Sequence, residues 1–246
     1  MTGLVRGEHY TVIGKTGCGK SAYVMKLVAR YMSQYPNDPV HIINHKAERN
    51  WNALLKPTYS RPKGYNRSVN WAVLPDDNAE LEDYLKRVYV HSRDNGQPAL
   101  VIIDEGLAMS QNSSAIKTLY TQGRALGLTI VLLTQRPSGI NVAAITQSSY
   151  IIVFNLFGKA DLEKLDGYMM IDLSQHIRPA TRTLEGRGLK PYYYLKYDVA
   201  KGEAVIMPPI SLLTFNPFKA AAVEDSGKGK AFVIPALLLA VFSVLR

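Results

Sequence analysis

The segment Gly14-Lys-Thr-Gly-Cys-Gly19-Lys20-Ser21 constrains this chain more than any other stretch. It follows a short apolar run, Tyr10-Thr-Val-Ile13, and precedes a segment with Tyr23, Leu27, Val28 and Tyr31 at helical spacing. Strand, glycine-rich loop and helix in that order form a phosphate-binding loop. Average composition would produce the bare pattern by chance in about one chain of this length in a hundred, so the flanking elements decide the reading. Glycines let the backbone curl tightly enough to aim several N–H groups at phosphate oxygens, and the helix N-terminus adds a favourable potential for the anion. The nucleotide-binding set is therefore Gly14, Lys15, Thr16, Gly17, Cys18, Gly19, Lys20 and Ser21. Lys20 is expected to bridge the β and γ phosphates of ATP, and Ser21 to hold Mg²⁺. Cys18 reads as a loop filler. As the single cysteine it excludes an internal disulfide and a cysteine zinc cluster, and it points to a reducing compartment.

Beyond the loop, short β-branched runs alternate with longer helical patterns, which predicts an α/β fold with a mostly parallel sheet flanked by helices. Strands are expected at Tyr10–Ile13, His41–Asn44, Ala99–Ile103, Leu128–Leu133 and Tyr150–Phe154, with a short extended run at Val69–Leu74. Ala99–Ile103 and Leu128–Leu133 are continuously apolar, as strands buried on both faces must be. Helices are expected from about Ala79 to Ser92, near Ser113 to Leu126, and from Ala160 to Met169. Residues 46–68 lack periodicity and read as a long loop. Tyr192–Tyr197 and Ala204–Met207 read as a C-terminal hairpin that closes the sheet edge. The expected organisation is a motor domain over 1–207, a linker over 208–230 and an apolar tail over 231–246.

Leu100-Val-Ile-Ile-Asp104-Glu105 delivers two adjacent carboxylates at the C-terminal end of an apolar strand, the end where a phosphate loop also lies. Asp104 would hold the metal through water, and Glu105 would take a proton from the attacking water. The plain alternative for each is a solvated or capping carboxylate. The next buried strand ends in Thr134-Gln135-Arg136-Pro137, where Gln135 either senses the γ-phosphate or caps the strand.

A formal charge of +9 suits a polyanionic partner, nucleic acid or an anionic membrane surface, and charge alone is equally well read as a solvated basic surface. Two stretches concentrate it: Arg61, Lys63 and Arg67, interleaved with Tyr59 and Tyr65, and Arg178, Arg182, Arg187 and Lys190. Basic side chains without base-edge readout suit non-sequence-specific DNA contact, and either stretch could instead face a neighbouring subunit. The fifteen residues Ala231–Leu245 contain a single polar side chain, Ser243. As a helix they would span about two thirds of a bilayer core, which leaves membrane attachment and a docked helix both open.

The phosphate loop, the Asp-Glu strand and the segment Gly127-Leu-Thr-Ile-Val-Leu-Leu-Thr-Gln-Arg-Pro-Ser138, in this order, resemble the FtsK/HerA superfamily of DNA-pumping P-loop ATPases over about residues 8–156. The small size and lone motor domain look most like its genome-packaging ATPases from tailless, membrane-containing viruses. The resemblance implies a RecA/FtsK-HerA-like sheet and an ATP-driven DNA translocase that packages a viral genome into a preformed particle. It further implies a hexameric or similar homo-oligomeric ring, seated at a membrane-associated virion vertex and made in the host cytoplasm. ATP would sit between subunits, with an arginine supplied by the neighbour. Arg124, in Gln122-Gly-Arg-Ala-Leu-Gly127, is the candidate for that arginine, and Arg136 is second. The catalytic set is then Glu105, Gln135 and Arg124, with Ser21 and Asp104 as metal ligands. The alternatives are a membrane-anchored ATPase for phage assembly or protein export, a nucleotide-dependent structural switch, and a small-molecule kinase.

Overall fold

The computed structural model describes residues 4–44, 51, 71–73, 78–105, 111–156, 158–173 and 192–209. The strands are β1 (Tyr10–Ile13), β2 (Val40–Asn44), β3 (Trp71–Val73), β4 (Leu100–Asp104), β5 (Thr129–Thr134), β6 (Tyr150–Val153), β7 (Tyr194–Asp198) and β8 (Glu203–Met207). They form one sheet in the order β3-β2-β4-β5-β1-β6-β7-β8. Pairing is parallel from β3 through β6, then antiparallel at β6–β7 and β7–β8. The expected hairpin thus extends the sheet beyond β6, and β8 forms the edge.

The helices are α1 (Lys20–Gln34), α2 (Asn78–Asn95), α3 (Ser114–Gln122), α4 (Val142–Thr146) and α5 (Lys159–Met169). Side chains alternate along each strand, and the core divides accordingly. Val12, Ile42, Leu100, Ile102, Val131, Leu133 and Ile152 pack on one face with Tyr23, Val24, Leu27, Val28 and Tyr31 of α1. Val101, Ile103, Ile130, Leu132, Ile151 and Val153 pack on the other with Leu81 and Leu85 of α2, Ile116 and Leu119 of α3, Ile145 of α4 and Leu165 of α5. Burial on both faces explains why β4 and β5 are apolar without a break, and truncating such a residue to alanine costs about 2–5 kcal/mol.

Local chemistry sets the helix ends. Gly19, at φ 102°, turns the chain into α1, and Tyr23 N–H donates to Gly19 O at 2.9 Å. Ser113 caps α3 by accepting from Ile116 N–H at 3.1 Å, and Asn141 caps α4 by accepting from Ala143 N–H at 2.9 Å. The helix expected to run unbroken to Leu126 ends at Gln122 and tightens into a 3-10 turn over Gly123–Leu126. The physical reason is Gly127, whose φ of 73° reverses the chain into β5 while its N–H bonds back to Arg124 O at 3.1 Å. Residue 51, within the stretch expected to be a long loop, is helical and fully buried. Both basic stretches, most of the linker and the apolar tail lie outside the described residues, as do 52–68. Among the described residues no helix is long and apolar enough to cross a membrane.

Candidate functional site

The order of strands determines which side chains meet. β5 lies between β4 and β1, so the residue after Thr134 stands between the end of β4 and the loop that follows β1. The loop leaves the sheet held on both sides: Gly14 N–H donates to Thr134 O at 3.2 Å and Lys15 N–H to Asn155 O at 3.0 Å. Gly14 fits because nothing larger would. A Cβ there would stand 2.6 Å from Phe154 Cβ and 2.8 Å from Cys18 Sγ. Cys18 is buried against this turn, and burial pushes its thiol pKa up, which suits the filler expected from sequence. Thr16 and Gly17, the latter at φ 76°, form the exposed tip.

Lys20 is buried and its ammonium donates to Gly14 O at 2.6 Å and Lys15 O at 2.9 Å. Those carbonyls, both of the loop itself, take donor capacity that a phosphate oxygen would otherwise share. Ser21 follows on the first turn of α1, half-buried.

Asp104 ends β4 in register with Asn44 of β2 and is almost fully buried. Burial raises its carboxyl pKa, while a hydrogen bond from Trp51 and the positive charge of Lys20 work in the opposite direction. The Trp51 indole Nε1–H donates to Asp104 Oδ2. Glu105 follows at φ 62°, a left-handed conformation uncommon for a residue with a side chain and one that costs on the order of 1–3 kcal/mol. Its Oε2 accepts from Gln135 Nε2 at 2.9 Å, and Gln135 Oε1 accepts from Thr16 Oγ1 at 2.9 Å. A continuous hydrogen-bonded line therefore joins the acidic strand end to the tip of the phosphate loop. Asp104 and Ser21 carry hard oxygen donors, the kind Mg²⁺ takes beside a phosphate-binding loop.

Arg124 lies elsewhere. It stands on the 3-10 turn before β5, where its Nη2 donates to Gln147 O at 3.1 Å and Ser149 Oγ at 3.3 Å, residues that precede β6. Strands β1, β5 and β6 are parallel, so Arg124 occupies the sheet end opposite its own phosphate loop, at least one four-residue strand, about 13 Å, away. Arg136 is exposed immediately after Gln135.

Two aromatic residues at the site escaped sequence reasoning. Trp51 is fully buried, and nothing in an aperiodic stretch marks it as a partner of Asp104. Tyr192, exposed and at φ 64°, lies over the loop with its Cδ1 3.4 Å from where a Gly19 Cβ would stand. It sits at the head of the hairpin, which reads as an edge element until the antiparallel β6–β7 pairing sets that head at the end of β6 beside the phosphate loop.

Residues 7–185 match the family model described as Poxvirus A32 protein. The chain is 26% identical over 207 residues to the DNA packaging ATPase P9 of Enterobacteria phage PRD1, an alignment that covers 82% of this chain and 87% of that one. Its fold resembles the genome packaging NTPase B204 of Sulfolobus turreted icosahedral virus 2, solved with ATP-gammaS, at a TM-score of 0.62 and 21% identity, over 83% of this chain and 98% of that one. It also resembles ATPases 2 and 3 of EssC from Geobacillus thermodenitrificans, at a TM-score of 0.58 and 14% identity, over 98% of this chain and 45% of that one.

Proposed function

The chain belongs to the Poxvirus A32 protein family, and on that premise we propose that it is the ATPase that drives viral DNA into a particle. The observation that carries the hydrolytic part is the line Thr16–Gln135–Glu105, which ties a candidate base to the phosphate loop through an amide. Gly14 to Ser21 bind the triphosphate, and Lys20 neutralises it. Glu105 accepts the proton of the attacking water, and Gln135 orients that water and registers the γ-phosphate. Ser21 and Asp104 hold Mg²⁺, which when bound neutralises charge on the β and γ phosphates.

The subunits work as a homo-oligomeric ring, taken as a hexamer, in which Arg124 reaches the neighbour's nucleotide. A net charge of +9 supports non-sequence-specific contact with DNA. The tail at 231–246, beyond the linker at 208–230, seats the motor domain of 1–207 against the membrane of the virion vertex or a protein in it. The relative that aligns over most of both chains is a packaging enzyme, so the export and phage-assembly alternative is set aside.

The test is ATPase rate against protein concentration, with and without non-specific DNA. A rate that rises faster than linearly with concentration and is stimulated by DNA is expected. A rate per subunit indifferent to both would rule out a DNA-driven ring and leave an isolated phosphohydrolase or kinase.

A further inference from the structure

Trp51 is among the largest fully buried side chains of the protein, and it lies on the α1 face of the sheet, in the cluster that contains Leu100 and Ile102 of β4. An indole in a core must find an acceptor for its N–H, and a backbone carbonyl is the usual one. Here the acceptor is the Asp104 carboxylate itself. The ring is immobilised by packing, so the N–H is a fixed donor, and a hydrogen bond to an ionised carboxylate is roughly twice as strong as one between neutral groups. Asp104 is meanwhile a short side chain on a fully buried strand whose backbone is pinned by β2 and β5. Strand and indole together hold Oδ2 in place.

We propose that Trp51 is the positioning residue for Asp104, holding Oδ2 so that the carboxylate faces the cation that accompanies the nucleotide. It does not touch the reacting atoms. The proposal rests on the reading of Asp104 as the metal-side carboxylate. Groups that orient metal ligands typically change metal affinity or activity about 10–100-fold when removed.

The test uses the full chain in three forms: wild type, Trp51→Phe, and a protein in which position 51 carries 3-benzothienylalanine, which keeps the bicyclic shape and lacks the N–H. Binding of a fluorescent, non-hydrolysable ATP analogue is measured in EDTA and across a Mg²⁺ titration. Binding in EDTA should be nearly equal in all three, and the Mg²⁺ concentration for half-maximal effect should rise about tenfold or more in both altered proteins. The benzothienyl protein separates the hydrogen bond from packing if Trp51→Phe folds poorly. A second readout uses Trp71→Phe, which leaves Trp51 as the sole tryptophan of the chain. Its emission should change when Mg²⁺ is added to the analogue complex and stay constant in an Asp104→Asn background. An unaltered Mg²⁺ midpoint in the benzothienyl protein would reduce Trp51 to a packing residue and overturn the proposal alone. A wild type whose nucleotide binding ignores Mg²⁺ would overturn the reading of Asp104 as well.

Discussion

The Gln135 side-chain amide donates to Glu105 Oε2 at 2.9 Å, across the ends of two neighbouring parallel strands. Its other end accepts from Thr16, so the amide has both polar atoms committed before any nucleotide arrives. A γ-phosphate bound at the loop tip would compete for Thr16, and the amide would then be the group through which its presence reaches Glu105.

Gln135→Ala should therefore lower kcat about 10–100-fold while ATP binding changes little, because on the proposed reading the phosphate loop and Lys20 carry the binding and the amide serves the hydrolytic step. Glu105→Gln should lower kcat by about 100-fold or more and leave a stable ATP complex. Single-turnover hydrolysis beside equilibrium binding checks both. Parallel loss of binding in either variant would make the line a structural tie.

Gly14 gives a sharper steric prediction. A Cβ there would overlap Phe154 and Cys18, and Phe154 belongs to the core behind the loop, so the loop must move rather than the core. Gly14→Ala should keep the fold, with a melting temperature within a few degrees of wild type, and lose the thermal shift that ATP confers. At ligand a hundredfold above its dissociation constant that shift corresponds to about 2.7 kcal/mol. A variant that retains it would show that the loop accommodates a methyl group.

The residues of this site that stand in a motif or at the end of an apolar strand were legible, Gln135 among them, whereas the contacts they make depend on strand order and were not. Gly14–Ser21 announce themselves because loop and helix are contiguous, and Asp104-Glu105 because β4 is apolar to its last residue. That β5 lies between β4 and β1, and so puts Gln135 between base and phosphate loop, is a fact of topology. Trp51 needed a contact 53 residues away, and although Gly127 marks the helix end in the sequence, the tightening into a 3-10 turn over Gly123–Leu126 is set by its backbone bonds.

Arg124 stands at the sheet end opposite its own phosphate loop, so any catalytic role must be exercised on a neighbour. Arg124→Ala should reduce kcat by about 10³-fold or more, and Lys20→Ala should abolish activity. Mixed together, the two inactive proteins should recover hydrolysis, because a Lys20→Ala subunit still presents Arg124 to an Arg124→Ala subunit whose phosphate loop is intact. The exposed hydrogen bonds to Gln147 and Ser149 are worth only about 1 kcal/mol, so the variant should remain folded. A mixture no more active than its components would assign Arg124 to the local structure alone.

The same corner of the molecule carries an acid sensitivity. His9 is fully buried, with its ring edge-on to Tyr120, and its backbone N–H donates to the Ser149 hydroxyl that Arg124 also uses. Burial first, and the charge of Arg124 second, lower its pKa from 6.5 to about 4. In the unfolded chain the imidazole binds a proton below about pH 6.5, whereas in the fold it does so only near pH 4. Between those values the unfolded state holds more protons, so stability rises with pH; the contribution is complete above pH 6.5 and is lost as pH falls toward 4. The whole span amounts to roughly 3 kcal/mol. Denaturant melts from pH 8 to pH 5 should show wild type losing stability faster than His9→Asn, whose side chain does not titrate. Arg124→Ala, which removes one of the two causes, should show an intermediate slope. Equal slopes in wild type and His9→Asn would place the acid sensitivity elsewhere in the fold.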